Sequence, residues 1–178
     1  MPASKQDWLQ QGLKTLEHQG LPSLTIDNLA GELGLTKGSF YHHFKNGGDF
    51  EEQLVAFWAE QYLSTATIPL PEGGDPLALL DTIMAEAFAP ATGPEIAIRA
   101  WAYQDERVRA YVERVDIVRR QFLQRVFEHL TADPAQANRM ADMLFSMLIG
   151  SLTALPRLPV ERIIALYVEF KRLYGLEA

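Results

Sequence analysis

The polar run Thr36-Lys37-Gly38-Ser39, followed by Tyr41, His42, His43 and Lys45, gathers the side chains of this sequence best able to do chemistry. Their order does not suit catalysis. Lys37-Gly38-Ser39 lacks the G-K-[ST] order of a phosphate-binding loop, and no G-x-S-x-G nucleophile elbow occurs. The four histidines, at 18, 42, 43 and 129, show no H-E-x-x-H spacing. The absence of cysteine removes thiolate metal sites, disulfides and cysteine nucleophiles. The expectation is therefore no enzyme, no catalytic residue, no metal and no cofactor. What the run can do is donate hydrogen bonds. The Lys37 ammonium suits guanine O6 or N7, or a phosphate oxygen, and small Gly38 and Ser39 let a backbone approach DNA closely.

Such donors need a rigid element to present them, and the residues from Thr25 to Lys45 supply one. Ile26, Leu29, Ala30 and Leu33 form a short apolar face, with Thr25 where an N-cap hydroxyl belongs and Gly34 where a left-handed C-terminal residue belongs. After Leu35, Thr36 can cap a second helix whose inward residues are Phe40 and Phe44, at i and i+4. Helix, glycine turn and helix at this spacing predict a helix-turn-helix whose second helix enters a major groove.

Helical periodicity extends through the chain. Leu9, Leu13 and Leu16 repeat at four and three after a capping box of Ser4 with Asp7, and Gly20 with Pro22 ends that helix. Asn46 can cap a helix carrying Phe50, Leu54, Phe57, Trp58 and Tyr62. Asp75-Pro76, Asp133-Pro134 and Leu158-Pro159 mark later starts, and Val108 to Phe127 carries one long pattern. No stretch alternates as a strand does. The expected fold is all-α with about nine helices: a three-helix module over residues 1–48 and a larger helical body over 49–178.

The string LTIDNLAGELGLTKGSFYHHFKN resembles the DNA-binding module of the TetR family of transcriptional regulators. The matching features are Thr25, Ala30, Gly34, Thr36, Gly38, Ser39, Tyr41, His43 and Phe44, in order and spacing. IRAWAYQDERV is similar to that family's regulatory domain. The resemblance implies that Thr25, Tyr41, His43 and Lys45 bind phosphates. It implies that Lys37, Ser39 and His42 face base edges, with Gly38 packed near them and Thr36 capping the helix. His43 is equally readable as a packing residue. The implied protein is a homodimeric regulator, most often a repressor, which a small-molecule effector releases from a palindromic operator.

Charge and composition bound this expectation. The formal net charge is −7, so any polyanion must meet a local patch rather than a basic coat. Residues 1–48 hold four lysines against four carboxylates, and all eleven arginines lie at Arg99 or later. An arginine-free module with Gly47-Gly48 opening its next helix is expected to bind DNA modestly, with a salt slope shallower than about −10. The alternative is a helical dimeric interaction protein that has lost strong DNA binding. The last two helices suit a four-helix dimer interface, one carrying Ala141, Leu144, Phe145, Leu148, Ile149, Leu152 and Leu155, the other Ile163, Tyr167, Phe170 and Tyr174 with Ile164 and Val168 beside them; an internal core helix is the alternative. Trp58, Tyr62, Met84, Phe88, Trp101, Tyr103, Met143 and Met147 could line an apolar effector pocket or simply fill the core. Asp105–Arg109 and Asp116–Arg120 at i, i+4 read as a solvated helix face, with a second DNA surface or an anionic-ligand site as the alternatives. The segment MPASKQDW has no apolar signal region, and Met143 to Pro156, the longest uncharged stretch, is too short to span a membrane. A cytoplasmic location without membrane partners is expected.

Overall fold

Capping chemistry sets the first helices. In the computed structural model, which describes residues 3–63, 74–87 and 93–176, α1 spans Lys5–Gln19. Ser4 and Asp7 form its capping box, and Gly20 ends it at φ 77°. A single 3-10 turn, Leu21–Ser23, leads to α2 (Ile26–Leu33), capped by the Thr25 hydroxyl, which accepts from the Asn28 N–H. Gly34 closes α2 in the left-handed region at φ 66°, ψ 33°. The short α3 (Lys37–Tyr41) follows, then α4 (Gly47–Leu63), where Asn46 Oδ1 accepts from the Asp49 N–H at 2.9 Å.

The later elements are α5 (Pro76–Ala87), α6 (Glu95–Ala102), α7 (Glu106–Glu128), α8 (Pro134–Thr153) and α9 (Val160–Leu173). The described residues thus form nine α-helices and no strand, the all-α fold that the periodicity predicts. Proline starts α5 and α8 as expected, whereas Pro159 stands one residue before α9. None of these helices is long and apolar enough to cross a membrane.

The chain divides into two compact units. The first contains α1–α4, α6 and α7 up to Val115. Its core joins Trp8, Leu16, Leu29, Phe40, Phe44, Phe50, Leu54, Trp58 and Ile98. Arg99 pairs with Glu95 at 2.9 Å within this buried environment. The two i, i+4 pairs expected on α7 do not both form. Asp105 instead holds Arg107 at 2.7 Å, while the Arg109 Nε–H donates to the Ala102 carbonyl. An aspartate at a helix start binds the nearest first-turn donors, here the Arg107 N–H at 2.9 Å as well.

The second unit contains α5, α7 from Asp116, α8 and α9. Met84, Phe122, Val126, Phe127, Met140, Leu144, Leu148, Ile163, Tyr167 and Phe170 form its core. The α9 stripe Ile163, Tyr167 and Phe170 is therefore spent inside this unit. Exposed apolar side chains flank that stripe on both sides, Ile164 with Val168 on one and Leu166 with Leu173 on the other, and Met143 is exposed as well. Tyr167 Oη donates to Asp81 Oδ1 at 2.8 Å, and the Lys171 ammonium reaches both Asp81 oxygens at 2.9 and 3.1 Å.

Burial, then the hydrogen bond and charge of Asp81, hold the Tyr167 phenol well above the ordinary tyrosine range. The unfolded phenol releases its proton near pH 10 while the folded one keeps it. This contribution is intact below that pH and is lost as pH rises toward the folded value. The unfolding free energy is expected to fall by about 1.4 kcal/mol per pH unit above about pH 10 on account of this group. Alkaline urea titrations of Tyr167→Phe should show that limb flattened; an unchanged limb would remove the assignment.

Candidate nucleic-acid interface

Short helices need tertiary anchors, because fewer than about 12 residues do not hold a helix alone. The five-residue α3 is anchored by an aromatic weld. Phe40 meets Trp8 edge-on at 5.4 Å, Phe44 at 5.0 Å and Phe50 at 5.4 Å between ring centroids. Phe44 meets Phe50 edge-on at 5.0 Å. These rings come from α1, α3, the segment just beyond α3, and α4, so α3 is fixed against three parts of its own unit. A polar clamp orients α2 in turn: Gln11 and Gln19 of α1 both donate to the Glu32 carboxylate, and Asn28 donates to Gln19 Oε1 at 3.0 Å.

With Phe40 inward, the rest of α3 faces water. Thr25, Thr36, Lys37, Gly38, Tyr41, His42 and Lys45 are exposed, and Ser39 is half-buried. Tyr41 is 55% exposed although its ring edge rests on Phe40. Thr36 occupies the N-cap position of α3, but its side chain makes no capping hydrogen bond. A Cβ placed on Gly38 would touch only Thr36 Oγ1, at 3.5 Å. Nothing inside the protein requires glycine there, and its φ is not positive. His43 stands apart from the exposed set. It is half-buried, its Nε2 lies 3.0 Å from the Ala3 carbonyl, and its ring edge meets Phe44.

Two carboxylates that the sequence reading passed over sit at this face. Asp27 Oδ1 lies 2.6 Å from Lys37 Nζ, both side chains being largely exposed. That hydrogen bond and charge raise the Lys37 ammonium above its ordinary value. Asp49 accepts from the Lys45 N–H at 2.8 Å, which holds its carboxyl below the usual range. No sequence signal marks the first contact, which joins residues ten apart on different helices. The second was findable, since an acid in the first turn after an Asn cap commonly takes a free N–H.

The residues considered for an effector divide. In the first unit Trp58 and Trp101 are buried, Tyr62 is half-buried with its ring 5.4 Å from Trp58, and Tyr103 is 84% exposed. Trp58 Nε1 is buried with no hydrogen-bond acceptor among the described residues, as is Trp8 Nε1. In the second unit Met84 is buried, Met147 half-buried, and Met143 exposed with its sulfur 3.0 Å from Tyr174 Oη. Phe88 lies outside the described residues. A shallow groove between Glu51, Val55, Trp101, Arg107 and Tyr111 has room for about one water molecule. No group of three or more histidine or carboxylate side chains able to hold a metal occurs among the described residues.

Comparison with known proteins places this geometry. The family model for bacterial regulatory proteins, tetR family, matches residues 9–47, which span α1 to the start of α4. The HTH-type transcriptional repressor KstR2 of Mycolicibacterium smegmatis is 35% identical over 77 residues, covering 39% of this chain. The match spans only 38% of that repressor's length. A TetR transcription regulator from Haloarcula marismortui superposes with a TM-score of 0.76 over 93% of this chain and 95% of that one, at 17% identity. A transcriptional regulator from Saccharomonospora viridis in complex with choline superposes at 0.68 over 94% and 95%, at 13% identity. The family is one of regulators rather than enzymes. Residues 9–47 thus carry a helix-turn-helix module of the kind found in bacterial regulatory proteins of the tetR family, and the chain as a whole shares the fold of solved regulators of that type.

Proposed function

We propose that the protein is a ligand-responsive transcriptional repressor that binds a palindromic operator as a homodimer. The observation that carries this reading is the outer face of α3. Lys37, Gly38, Tyr41 and His42 are all exposed there, and the glycine has no internal reason to be one. A partner whose surface must come close explains it. Lys37, Ser39 and His42 read base edges, while Thr25, Tyr41 and Lys45 hold phosphates, Thr36 lying at the α3 start between them. His43 contributes by fixing the segment before α1 through the Ala3 carbonyl. Residues 1–48 act as the DNA-binding part, and 49–178 as the effector-binding and dimerisation part. A DNA partner places the protein in the cytoplasm.

The test is binding to the DNA flanking its own gene. Lys37→Ala is expected to cost about 1–3 kcal/mol, or roughly 5- to 150-fold in affinity. Tyr41→Phe should weaken every sequence alike. Gly38→Ala separates the readings: it should leave stability unchanged or raise it, by up to about 1 kcal/mol for alanine in a helix, yet weaken binding. An interaction protein that has lost DNA binding is favoured by one observation, the arginine-free and formally neutral module. It would show the stability effect and no duplex affinity at all.

Dimerisation is supported by the exposed apolar stripe of α9, where Ile164 and Val168 stand one turn apart, each 48% exposed. Sedimentation should show a wild-type dimer and a monomer for Ile164→Glu with Val168→Glu; a wild-type monomer would sink this part. The effector is expected beside Trp58, Tyr62 and Trp101, where the Trp58 indole N–H can donate to an acceptor on the ligand. A small molecule that raises the melting temperature should lose that effect on Trp58→Phe.

A further inference from the structure

The module has few cations, and one of the four lysines in residues 1–48 is already engaged: the Lys37 ammonium lies 2.6 Å from Asp27 Oδ1. Asp27 is the second residue of α2, whose start is capped by Thr25. Its carboxylate therefore bears on two phosphate-attracting features at once. It neutralises the lysine at the start of α3, and it places its own charge at the N-terminus of α2, where the free N–H groups would otherwise draw an anion. Both side chains are open to solvent, 59% for Lys37 and 73% for Asp27, so an arriving duplex meets the pair and not a lone cation.

Phosphates and base edges answer such a pair differently. A phosphate offers Lys37 only an exchange of one anion for another, with Asp27 then repelling the backbone nearby. A guanine O6 or N7 is neutral, and an ammonium has three protons. One can stay on Asp27 while another reaches the base, and the carboxylate then limits where the ammonium points. We infer that Asp27 is a specificity-determining positioning residue. It lowers attachment to arbitrary duplex more than to the operator, acting through Lys37.

This rests on the DNA-binding reading, and the experiment separates the two. The full-length protein first enriches duplexes from a random-sequence pool. Affinities for the enriched duplex and a scrambled one are then measured against potassium chloride for wild type, Asp27→Asn, Asp27→Glu, Lys37→Ala and the Asp27→Asn, Lys37→Ala double variant. Freeing one cation should steepen the scrambled-duplex slope by about 0.9 per protomer. Asp27→Asn should accordingly tighten scrambled binding several-fold, tighten operator binding less, and so lower the ratio between them. Asp27→Glu should restore most of the ratio, and the effect of Asp27→Asn should shrink once Lys37 is alanine. A merely structural role would move the melting temperature but not the ratio. The inference is overturned if Asp27→Asn shifts both duplexes equally, or if its effect survives intact without Lys37. If the wild type enriches no duplex, the DNA-binding reading fails first and takes this one with it.

Discussion

Phe40→Ala is expected to lower the unfolding free energy by about 3–5 kcal/mol, the range for removing a fully buried aromatic ring. Phe40 is wholly buried and touches Trp8, Phe44 and Phe50 at centroid distances of 5.4, 5.0 and 5.4 Å. Two losses combine there. The ring leaves a cavity between α1 and α4, and its edge and tilted contacts are forfeited as well. The consequence for function is larger than for an ordinary core site. α3 has five residues and no side-chain cap, so no local force holds it once its anchor is gone. Urea titration should show the loss, and duplex binding should fail at temperatures where the rest of the chain is still helical. Phe40→Leu, which keeps much of the volume, should recover more than half of the stability. A variant Phe40→Ala that melts within 1–2 °C of wild type, when ~1 kcal/mol should already move the midpoint by about 2–4 °C, would refute the weld as the anchor of α3.

The second large effect is expected at Gly12, on the side of α1 that meets α4. A Cβ there would stand 2.8 Å from Phe50 Cζ and 2.9 Å from Leu54 Cδ1. Phe50 and Leu54 are themselves buried, so neither can swing into solvent to make room. Alanine would gain up to about 1 kcal/mol of helix propensity, which partly offsets the clash. Valine adds two more methyl groups and a stiff χ1, so Gly12→Val is expected to cost about 1–3 kcal/mol or more from overpacking. Circular dichroism melts of the Gly12→Ala and Gly12→Val pair check this, with the drop growing from the first to the second. Equal melting points for all three proteins would mean that α1 and α4 are not closely apposed at Gly12.

Much of the helix-turn-helix was legible because its signals are local. Gly34 had to be left-handed for so tight a connection, and it is, at φ 66°. The Thr25 cap, the Ser4–Asp7 box and the Asn46 cap act within three residues, and each forms. Contacts across the sequence were not legible. The Asp27–Lys37 pair and the His43–Ala3 hydrogen bond join residues 10 and 40 positions apart, and nothing in residue type foretells them. Thr36 shows the same limit on a smaller scale, since position predicts a cap but the hydroxyl makes no bond to α3. Hydrophobic periodicity on α9 left two readings open, an interface or an internal core: Ile163, Tyr167 and Phe170 are buried by their own unit, while Ile164 and Val168 beside them stay exposed. Among the effector candidates, aromatic or thioether character could not distinguish buried Trp58 from Tyr103, which is mostly in water.

The brevity of α3 also makes it a built-in reporter. A helix running only from Lys37 to Tyr41 leaves its first two amides, Lys37 and Gly38, without an intrahelical acceptor, so they should take up deuterium from heavy water almost as fast as an unstructured peptide. Phe40 and Phe44, by contrast, lie in tightly packed surroundings that admit little solvent. Mass-spectrometric labelling of the peptide covering residues 36–44 would therefore register a bound duplex as slowed uptake at its front end, with no dye, tag or substitution needed.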